Sequence, residues 1–320
     1  MATQGDWVGA ARRELIGSRS PNGSWAYRKG ASGSVEPTAL AALALGAAGE
    51  RAGQTAGWLT RLQNPDGSLG LSEKQAAPGW MTPYAMLLWD ATGAHPEPTR
   101  RAAEWLLRLK GKVVPLSEDP ARVIGHDSTL VGWPWVAETH SWLEPTVLAV
   151  LALSRAGFGD HPRVAAGLRL IRDRAIDGGG WNYGNKSVFG RPLRAQPAPT
   201  GLALLALAGI DARPGLVDAA IAYLRRTLPG VRAPSSLGWG LIGLAAWGEA
   251  PEESGGWLAE SHGAVAGNQG AAIQLATLLL AAEPCAPRLF GRDPYRAEGL
   301  CFETVDGEAF EERGSHGDRR

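Results

Sequence analysis

Residues 141–153 read SWLEPTVLAVLAL, and the same pattern recurs as SVEPTALAALAL at residues 34–45 and as QPAPTGLALLAL at residues 196–207. Each copy has Pro-Thr followed by a nearly unbroken run of small and aliphatic residues. Proline is well tolerated in the first turn of a helix because its missing N–H would be unpaired there. A helix that is apolar on nearly all faces must be buried on nearly all faces. The pattern therefore predicts deeply buried helices that start close to each Pro-Thr pair.

Three looser copies bring the number of such segments to six: TPYAMLL at residues 82–88, and small-residue apolar runs that open at Ser235 and Asn268. Between them lie amphipathic segments, with apolar residues at helical spacing and charges between. Buried and half-buried helices thus alternate, and a closed ring buries the flanks that an open stack of hairpins would expose. We predict an all-α fold, an (α/α)6 toroid of six helical hairpins. The amphipathic segments span about residues 6–17, 53–63, 97–109, 161–173, 214–227 and 252–262.

The toroid is predicted to occupy residues 1–283, and a tail follows at residues 284–320. The tail contains three prolines, both cysteines (Cys285 and Cys301) and many charges, and it lacks the pattern of a further hairpin. We expect it to wrap the outside of the ring and expect its last residues, 311–320, to be disordered.

Composition excludes several classes of function. The 32 basic residues balance the 32 acidic residues, which argues against nucleic acid as a partner. Two cysteines exclude a disulfide framework and a Cys-rich zinc site, and they fit a reducing compartment. The N-terminus lacks the basic start and apolar core of a signal peptide, and no run of about 18 apolar residues could span a membrane. We therefore expect a cytoplasmic protein and leave peripheral contact with a membrane open.

Residues 58–70, WLTRLQNPDGSLG, resemble the Gln-Trp repeat of squalene-hopene cyclases, with Leu69 in place of the final tryptophan. NGSW at residues 22–25 and GGW at residues 179–181 keep the end of that repeat without its glutamine. The resemblance covers about residues 6–282 and is specific for the toroid shared by terpenoid cyclases and protein prenyltransferases. It implies an isoprenoid or another apolar small molecule as ligand and an isomerase-type or lyase-type activity.

Three branches of that toroid family are not matched. The Asp-Asp-x-x-Asp motif of class I terpene synthases and the Gly-Cys-Gly-Glu-Gln motif of thioester domains are absent. Neither cysteine lies in the Asp-x-Cys pattern that zinc-dependent prenyltransferases use. We therefore expect no metal and no cofactor.

Class II cyclases, by resemblance, protonate an alkene or an epoxide with the middle acid of Asp-x-Asp-Asp, placed just before a Thr-Ala run. The chain lacks that motif, but aligning the threonine on Thr38 or Thr146 puts Glu36 or Glu144 at the position of the middle acid. Glu144 is the predicted acid, with Glu36 as a second candidate. The alternative is that each carboxylate caps its helix, where the dipole favours negative charge and lowers the pKa.

The connection before Glu144 contains GHDSTLVGWPW at residues 125–135 and is the longest irregular stretch between the predicted helices. Long connections in compact domains often carry function. Asp127 and His126 are predicted helpers, since a histidine bonded to a carboxylate could set the protonation of the acid. The alternative is a loop that plugs the mouth of the ring, with His126 in solvent.

Aromatic residues near the starts of the buried helices are predicted to bind substrate through apolar contact or to stabilise a carbocation through cation–π attraction. The alternative role is structural, with turn tryptophans stacked between neighbouring repeats. We favour that role for Trp25 and Trp181, and the cavity for Trp133, Trp135 and Trp142. The full set is Trp80, Tyr84, Trp133, Trp135, Trp142, Trp181, Tyr183 and Trp239.

Two functions compete. The first is a terpenoid cyclase-like enzyme of class II, which predicts an apolar cavity with a buried acid of raised pKa. The second is a non-catalytic toroid that binds an isoprenoid, a lipid or a protein, which predicts a filled centre with Glu144 tied to backbone amides. A single toroid has less room than the paired toroids of triterpene cyclases, so a shorter substrate, a partner chain or a homodimer is expected.

Overall fold

Each buried helix begins near the position that the repeat predicts. The structure is a computed structural model, and it describes residues 6–46, 49–113, 124–209, 215–268 and 270–290. These six inner helices are α2 (Val35–Ala44), α4 (Thr82–Thr92), α6 (Leu143–Leu153), α8 (Pro197–Leu207), α10 (Pro234–Ala245) and α12 (Ala272–Ala282). Six outer helices alternate with them: α1 (Trp7–Gly17), α3 (Gly49–Arg61), α5 (Pro96–Arg108), α7 (Pro162–Asp173), α9 (Gly215–Thr227) and α11 (Ser254–Val265).

The inner helices form a closed ring. Each contacts the next in the order α2, α4, α6, α8, α10, α12, and α12 contacts α2 again. In α6, every residue except Glu144 is buried, whereas α5 buries only one face, with Ala102, Ala103, Trp105 and Leu106. The apolar pattern of the inner helices requires burial on all sides, and the amphipathic pattern of the outer helices requires burial on one side, as observed. The predicted all-α (α/α)6 toroid is confirmed.

Shorter elements complete the described part. A π-helical turn at Ser154–Phe158 follows α6, and a 3-10 turn at Leu228–Gly230 follows α9. Strands β1 (Ser187–Val188) and β2 (Arg191–Pro192) form a two-stranded antiparallel hairpin, and helix α13 spans Ala286–Phe290. No helix within the described ranges is long and apolar enough to cross a membrane.

The threonines at the starts of four inner helices have a specific structural role. The hydroxyls of the fully buried Thr38, Thr82, Thr146 and Thr200 each accept the backbone N–H of one turn residue at 2.9–3.0 Å. Those turn residues, here called the staple residues, are Trp25, Leu69, Trp133 and Trp181. Each of these four hydrogen bonds therefore ties the start of an inner helix to the connection that leads into it, and fixes the register between the helix and the connection.

The indole groups extend the same tie to the outer helices. Nε1 of Trp25, Trp133 and Trp181 donates to the carbonyl oxygens of Leu15, Leu106 and Ile171, at 2.8, 2.8 and 2.7 Å. These carbonyls lie near the ends of α1, α5 and α7, where backbone oxygens have no partner within the helix. The structural role predicted for Trp25 and Trp181 agrees with this geometry.

Replacing Thr146 with valine is expected to lower the free energy of unfolding by about 1–3 kcal/mol, because the buried N–H of Trp133 loses its acceptor. Urea unfolding of the purified variant measures this. The matched control is Thr277→Val, since the equally buried Thr277 hydroxyl donates only to the Ile273 carbonyl within α12. Equal losses for the two variants would contradict the staple interpretation.

The start of the tail closes one end of the ring. Helix α13 contacts both α4 and α10, which stand opposite each other in the ring, so it must cross the axis. The Arg288 carbonyl accepts a hydrogen bond from Arg155, just beyond the end of α6, which places α13 where the inner helices end. Residues 286–290 therefore do not wrap the outside of the ring, and that expectation is corrected. Cys301 and the rest of residues 291–320 lie outside the described part.

Candidate active site at the mouth of the ring

The candidate site lies at the end of the ring where the inner helices begin, opposite α13. We call this end the mouth. The connections from outer to inner helices all run there, at residues 18–34, 62–81, 109–142, 174–196, 228–233 and 266–271, apart from 114–123 and Gln269, which the structure does not describe.

Two glutamates and one tryptophan occupy equivalent places in the repeats. Glu36, Trp80 and Glu144 each stand two residues before the threonine that binds a staple residue. Because the threonine bond fixes the register of each helix start, residues at this repeat position share one orientation relative to the ring. The fourth copy has Ala198 at this position.

Glu36 is held by two phenols. The Tyr27 hydroxyl donates to Oε2 at 2.5 Å, and the Tyr84 hydroxyl donates to Oε1 at 3.2 Å. Burial raises the pKa of the Glu36 carboxyl above its ordinary value, while the two hydrogen bonds act in the opposite direction. Burial and the charge of Glu36 also raise the pKa of both tyrosines, which therefore stay protonated and serve as donors.

Glu144 has no such support. No described residue donates a hydrogen bond to its carboxyl, and α6 has no side-chain cap at its first turn. Burial, followed by the negative charge of Glu36, raises the pKa of Glu144 to about 8. A capping carboxylate would have a lowered pKa, so Glu144 is an acid without a hydrogen-bond donor among the described residues, and its raised pKa favours the protonated form at neutral pH.

Glu36 and Glu144 come from helices separated in the ring by α4, yet their charges interact across the mouth. The charge of Glu144 also raises the pKa of Tyr183, after the larger effect of burial, and contributes to the raised values of Tyr27 and Tyr84. We call these five residues the mouth cluster. Both glutamates are only half-buried by accessible surface, so a small molecule entering the mouth can touch them.

Aromatic side chains extend from the mouth cluster. Trp80 packs edge-to-face on Tyr84 at 5.8 Å between ring centroids and on Trp135 at 4.6 Å. Trp142, two residues before Glu144, is half-buried and stacks at a tilt on His140 at 4.8 Å. Trp80, Tyr84, Trp135, Trp142 and Tyr183 therefore lie where the sequence predicted, around the start of the inner helices.

Three of the predicted substrate-binding tryptophans lie elsewhere: Trp133, Trp181 and Trp239. Trp133 is 1% exposed, and its indole N–H, its backbone N–H and its ring face are occupied by Leu106, Thr146 and Arg163. It is a staple residue like Trp181, so its expected place in the cavity is corrected. Trp239 packs edge-to-face on Phe290 of α13 at 5.4 Å, within the closed end of the ring.

The predicted helpers of the acid are not brought to Glu144. The exposed Asp127 carboxylate accepts hydrogen bonds from the backbone N–H and hydroxyl of Thr129, which lower its pKa. The buried His126 ring bonds the Ile124 carbonyl, and burial and the charge of Arg174 lower its pKa to about 4. Burial and the charge of Glu36, not Asp127 or His126, raise the pKa of Glu144, so the predicted pairing of these two residues with the acid is corrected. His126 is buried, so its predicted alternative in solvent is also wrong.

Tyr27 is the member of the mouth cluster that the sequence analysis missed. A signal for it exists, because Trp25-Ala26-Tyr27 repeats as Trp181-Asn182-Tyr183. Once the tryptophans are known to be staple residues, the tyrosines two residues later occupy equivalent places at the mouth. Within the described residues, no group of three or more His, Cys, Asp and Glu could hold a metal ion.

No family model and no curated protein matches the chain. Similar solved structures include a substituted form of the type II terpene cyclase MstE from Scytonema, in complex with its substrate geranylgeranyl dihydroxybenzoate. That match is 15% identical over 89% of this chain and 98% of that chain, with a TM-score of 0.59. A second substituted form with the same substrate is 14% identical and covers 89% of this chain and 97% of that chain, with a TM-score of 0.58. A protein from Actinoplanes is 18% identical and covers 82% of this chain and 80% of that chain, with a TM-score of 0.55. The chain therefore has a terpenoid cyclase-like fold.

Proposed function

We propose that this protein is a class II, metal-independent terpenoid cyclase-like enzyme that uses Glu144 to protonate an isoprenoid at the mouth of the ring. The observation that carries the proposal is the state of Glu144, a half-buried carboxyl without a hydrogen-bond donor in the described part and with a pKa raised to about 8. A general acid must hold its proton at the working pH until the substrate takes it, and this carboxyl meets that condition.

The weak acidity of Glu144 selects the group that it protonates. A carboxyl whose anion is poorly stabilised gives up its proton reluctantly, so it suits the more basic acceptor, an epoxide oxygen, better than an alkene carbon. The proton goes to the oxygen, the C–O bond breaks, and the π electrons of a nearby alkene close a ring onto that carbon. The last cation then loses a proton, which returns to the Glu144 carboxylate directly or through solvent, so the acid is restored and the product is an isomer of the substrate.

The aromatic residues of the mouth fit the cationic part of this reaction. The rings of Trp80, Trp135 and Tyr84 form one continuous contact that ends at Glu36. Cation–π attraction is worth about 0.5–2 kcal/mol for each ring that faces a cation. The Glu36 carboxyl, held by its two tyrosines, is a second polar anchor beside the same surface.

The competing function is a non-catalytic toroid, which requires Glu144 to be tied to backbone amides. The absence of an amide partner among the described residues favours the enzyme. The isoprenoid portion of the substrate bound by the similar cyclases supports a ligand of the same class. The proposal includes a cytoplasmic location, peripheral contact with a membrane, and either a substrate short enough for one toroid or a site completed by a partner chain or second copy.

The test incubates the purified protein with prenyl diphosphates, squalene and their terminal epoxides and identifies products by mass spectrometry. We expect an isomer of one epoxide, and a loss of about a hundredfold or more in its rate for Glu144→Gln. The matched control is Glu73→Gln, an exposed glutamate at the same end of the ring, which should retain full activity. Unchanged turnover in Glu144→Gln would rule out the assigned acid, and binding without conversion would favour the non-catalytic toroid.

A further inference from the structure

A strained hairpin projects from the rim of the mouth. Ser187 pairs with Pro192 and Val188 with Arg191, so the loop between the strands consists of Phe189 and Gly190 alone. Both have positive φ, 48° and 72°, which is the geometry of a type I′ turn. Asparagine, aspartate and glycine adopt this conformation readily, whereas phenylalanine is rarely found in it.

Packing against the described residues does not compensate the strain at Phe189. The side chain is 88% exposed and therefore gains almost no packing against the ring. Residues in such rarely populated backbone conformations cluster at functional sites, including sites that contact a ligand. Phe189 is thus placed for an external contact.

The exposed large apolar side chains of the described part lie at the mouth end. Six lie in the connections that lead into inner helices, and the seventh lies in the last turn of α1, which points to the same end. Exposed apolar groups gathered on one face mark an interaction surface. The seven are Ile16, Val113, Val136, Tyr183, Val188, Phe189 and Leu193.

The charges around the hairpin identify the partner. Lys186, Arg191 and Arg194 flank its apolar tip in the sequence, and the sequence contains no acidic residue between Asp177 and Asp211. An exposed aromatic ring flanked by cations fits the boundary of an anionic bilayer, where the ring sits among the headgroups and the cations meet lipid phosphates.

The hairpin is attached firmly to the site. The backbone N–H groups of Lys186 and Ser187 both donate to the Ile124 carbonyl, at 3.1 and 3.0 Å. Upstream, the Tyr183 carbonyl accepts the N–H of Leu143 at 3.0 Å, one residue before Glu144. A hairpin inserted in a membrane would therefore hold the mouth cluster at the membrane surface.

We propose that this hairpin docks the protein on an anionic lipid bilayer, with Phe189 and Val188 inserted between headgroups and the three cations bound to lipid phosphates. The mouth then faces the bilayer, and an apolar molecule enters it without crossing water. This inference deepens the proposed function by assigning the membrane contact to a surface, but docking itself does not require the chemistry of Glu144.

The test is co-sedimentation of the intact protein, without substrate, with vesicles of phosphatidylcholine alone or mixed with phosphatidylserine. Wild type should bind the anionic vesicles and bind neutral vesicles weakly. Phe189→Asn should lower the partition coefficient about tenfold while keeping or raising the melting temperature, because asparagine suits the positive φ. Arg191→Gln and Arg194→Gln should each lower the partition coefficient about fivefold on anionic vesicles and leave it unchanged on neutral vesicles.

The matched control is Arg100→Gln, which removes an exposed cation from the opposite end of the ring and should leave vesicle binding unchanged. Equal binding by wild type and Phe189→Asn would overturn the proposal. So would wild type that ignores vesicles but self-associates through Phe189, which would make the hairpin a protein–protein contact. Because no substrate is present, the outcome is independent of whether Glu144→Gln loses activity.

Discussion

Glu144→Gln is expected to make the folded protein more stable at pH 9 than the wild type and to leave its stability nearly unchanged at pH 4. The pKa of Glu144 is about 8 in the folded protein and near its ordinary value of 4.5 in the unfolded chain. Between those values the folded state holds a proton that the unfolded state has released. Wild-type stability therefore falls as the pH rises through this interval, and the loss is complete above pH 8.

The size of the loss follows from the same two values. At ~1.4 kcal/mol for each pH unit between them, a fully desolvated carboxyl would account for about 5 kcal/mol. Glu144 keeps some contact with water at the mouth, so we expect about 2–4 kcal/mol at pH 9. Glutamine has nearly the same shape and no charge, so the variant escapes this penalty.

Urea unfolding at pH 4, 7 and 9 measures the effect for wild type and Glu144→Gln, with the exposed Glu73→Gln as control. The difference between Glu144→Gln and wild type should grow steadily from pH 4 to pH 9, while the control follows the wild-type curve. Parallel curves for Glu144→Gln and wild type would show that this carboxyl ionises normally. In that case the acid assigned under the proposed function would lose its main support.

Phe290→Ala is the second substitution with a large expected effect, a loss of about 3–5 kcal/mol in the free energy of unfolding. Phe290 is completely buried, lies edge-to-face on Trp239 and belongs to α13, which crosses the axis of the ring. Removing the ring leaves a cavity between opposite inner helices that the rigid toroid cannot collapse to fill.

Thermal and urea unfolding measure this loss. Phe189→Asn is the control, since it removes the same ring from a position that is 88% exposed, and it should not destabilise the protein. Phe290→Leu should recover most of the stability because it refills most of the volume. A loss for Phe290→Ala as small as that for the exposed position would mean that α13 does not close the ring.

Much of the fold follows from local pattern, and for that reason it was predictable. The Pro-Thr pairs mark where inner helices begin, and apolar composition separates α6 from α5 without any knowledge of contacts. Glu36 and Glu144 were predicted from the resemblance to the class II cyclase motif, because each stands two residues before the aligned threonine. These features depend on residues within one or two helical turns of each other.

The errors arose where distant parts of the chain meet. Trp133 and Trp135 are both tryptophans of one loop, yet the first is tied to Thr146 and Leu106 while the second packs on Trp80. Asp127 is close to Glu144 in sequence, but the turn at Thr129 directs its carboxylate to solvent. Nearness along the chain does not decide which side chains share a cavity.

The sequence by itself determined the alternation of buried and half-buried helices, their number and their approximate starts. The reason is that the apolar composition of a helix and the period of its apolar residues determine how much of its surface is buried. Only the tertiary structure decided that Glu36 and Glu144 share one mouth, and that α13 closes the far end. It also decided that Tyr27 and Tyr84 both donate to Glu36, whereas no described residue donates to Glu144. The physical reason is ring closure. It brings together the starts of helices from separate repeats, and the resulting desolvation and charge coupling depend on three-dimensional distance.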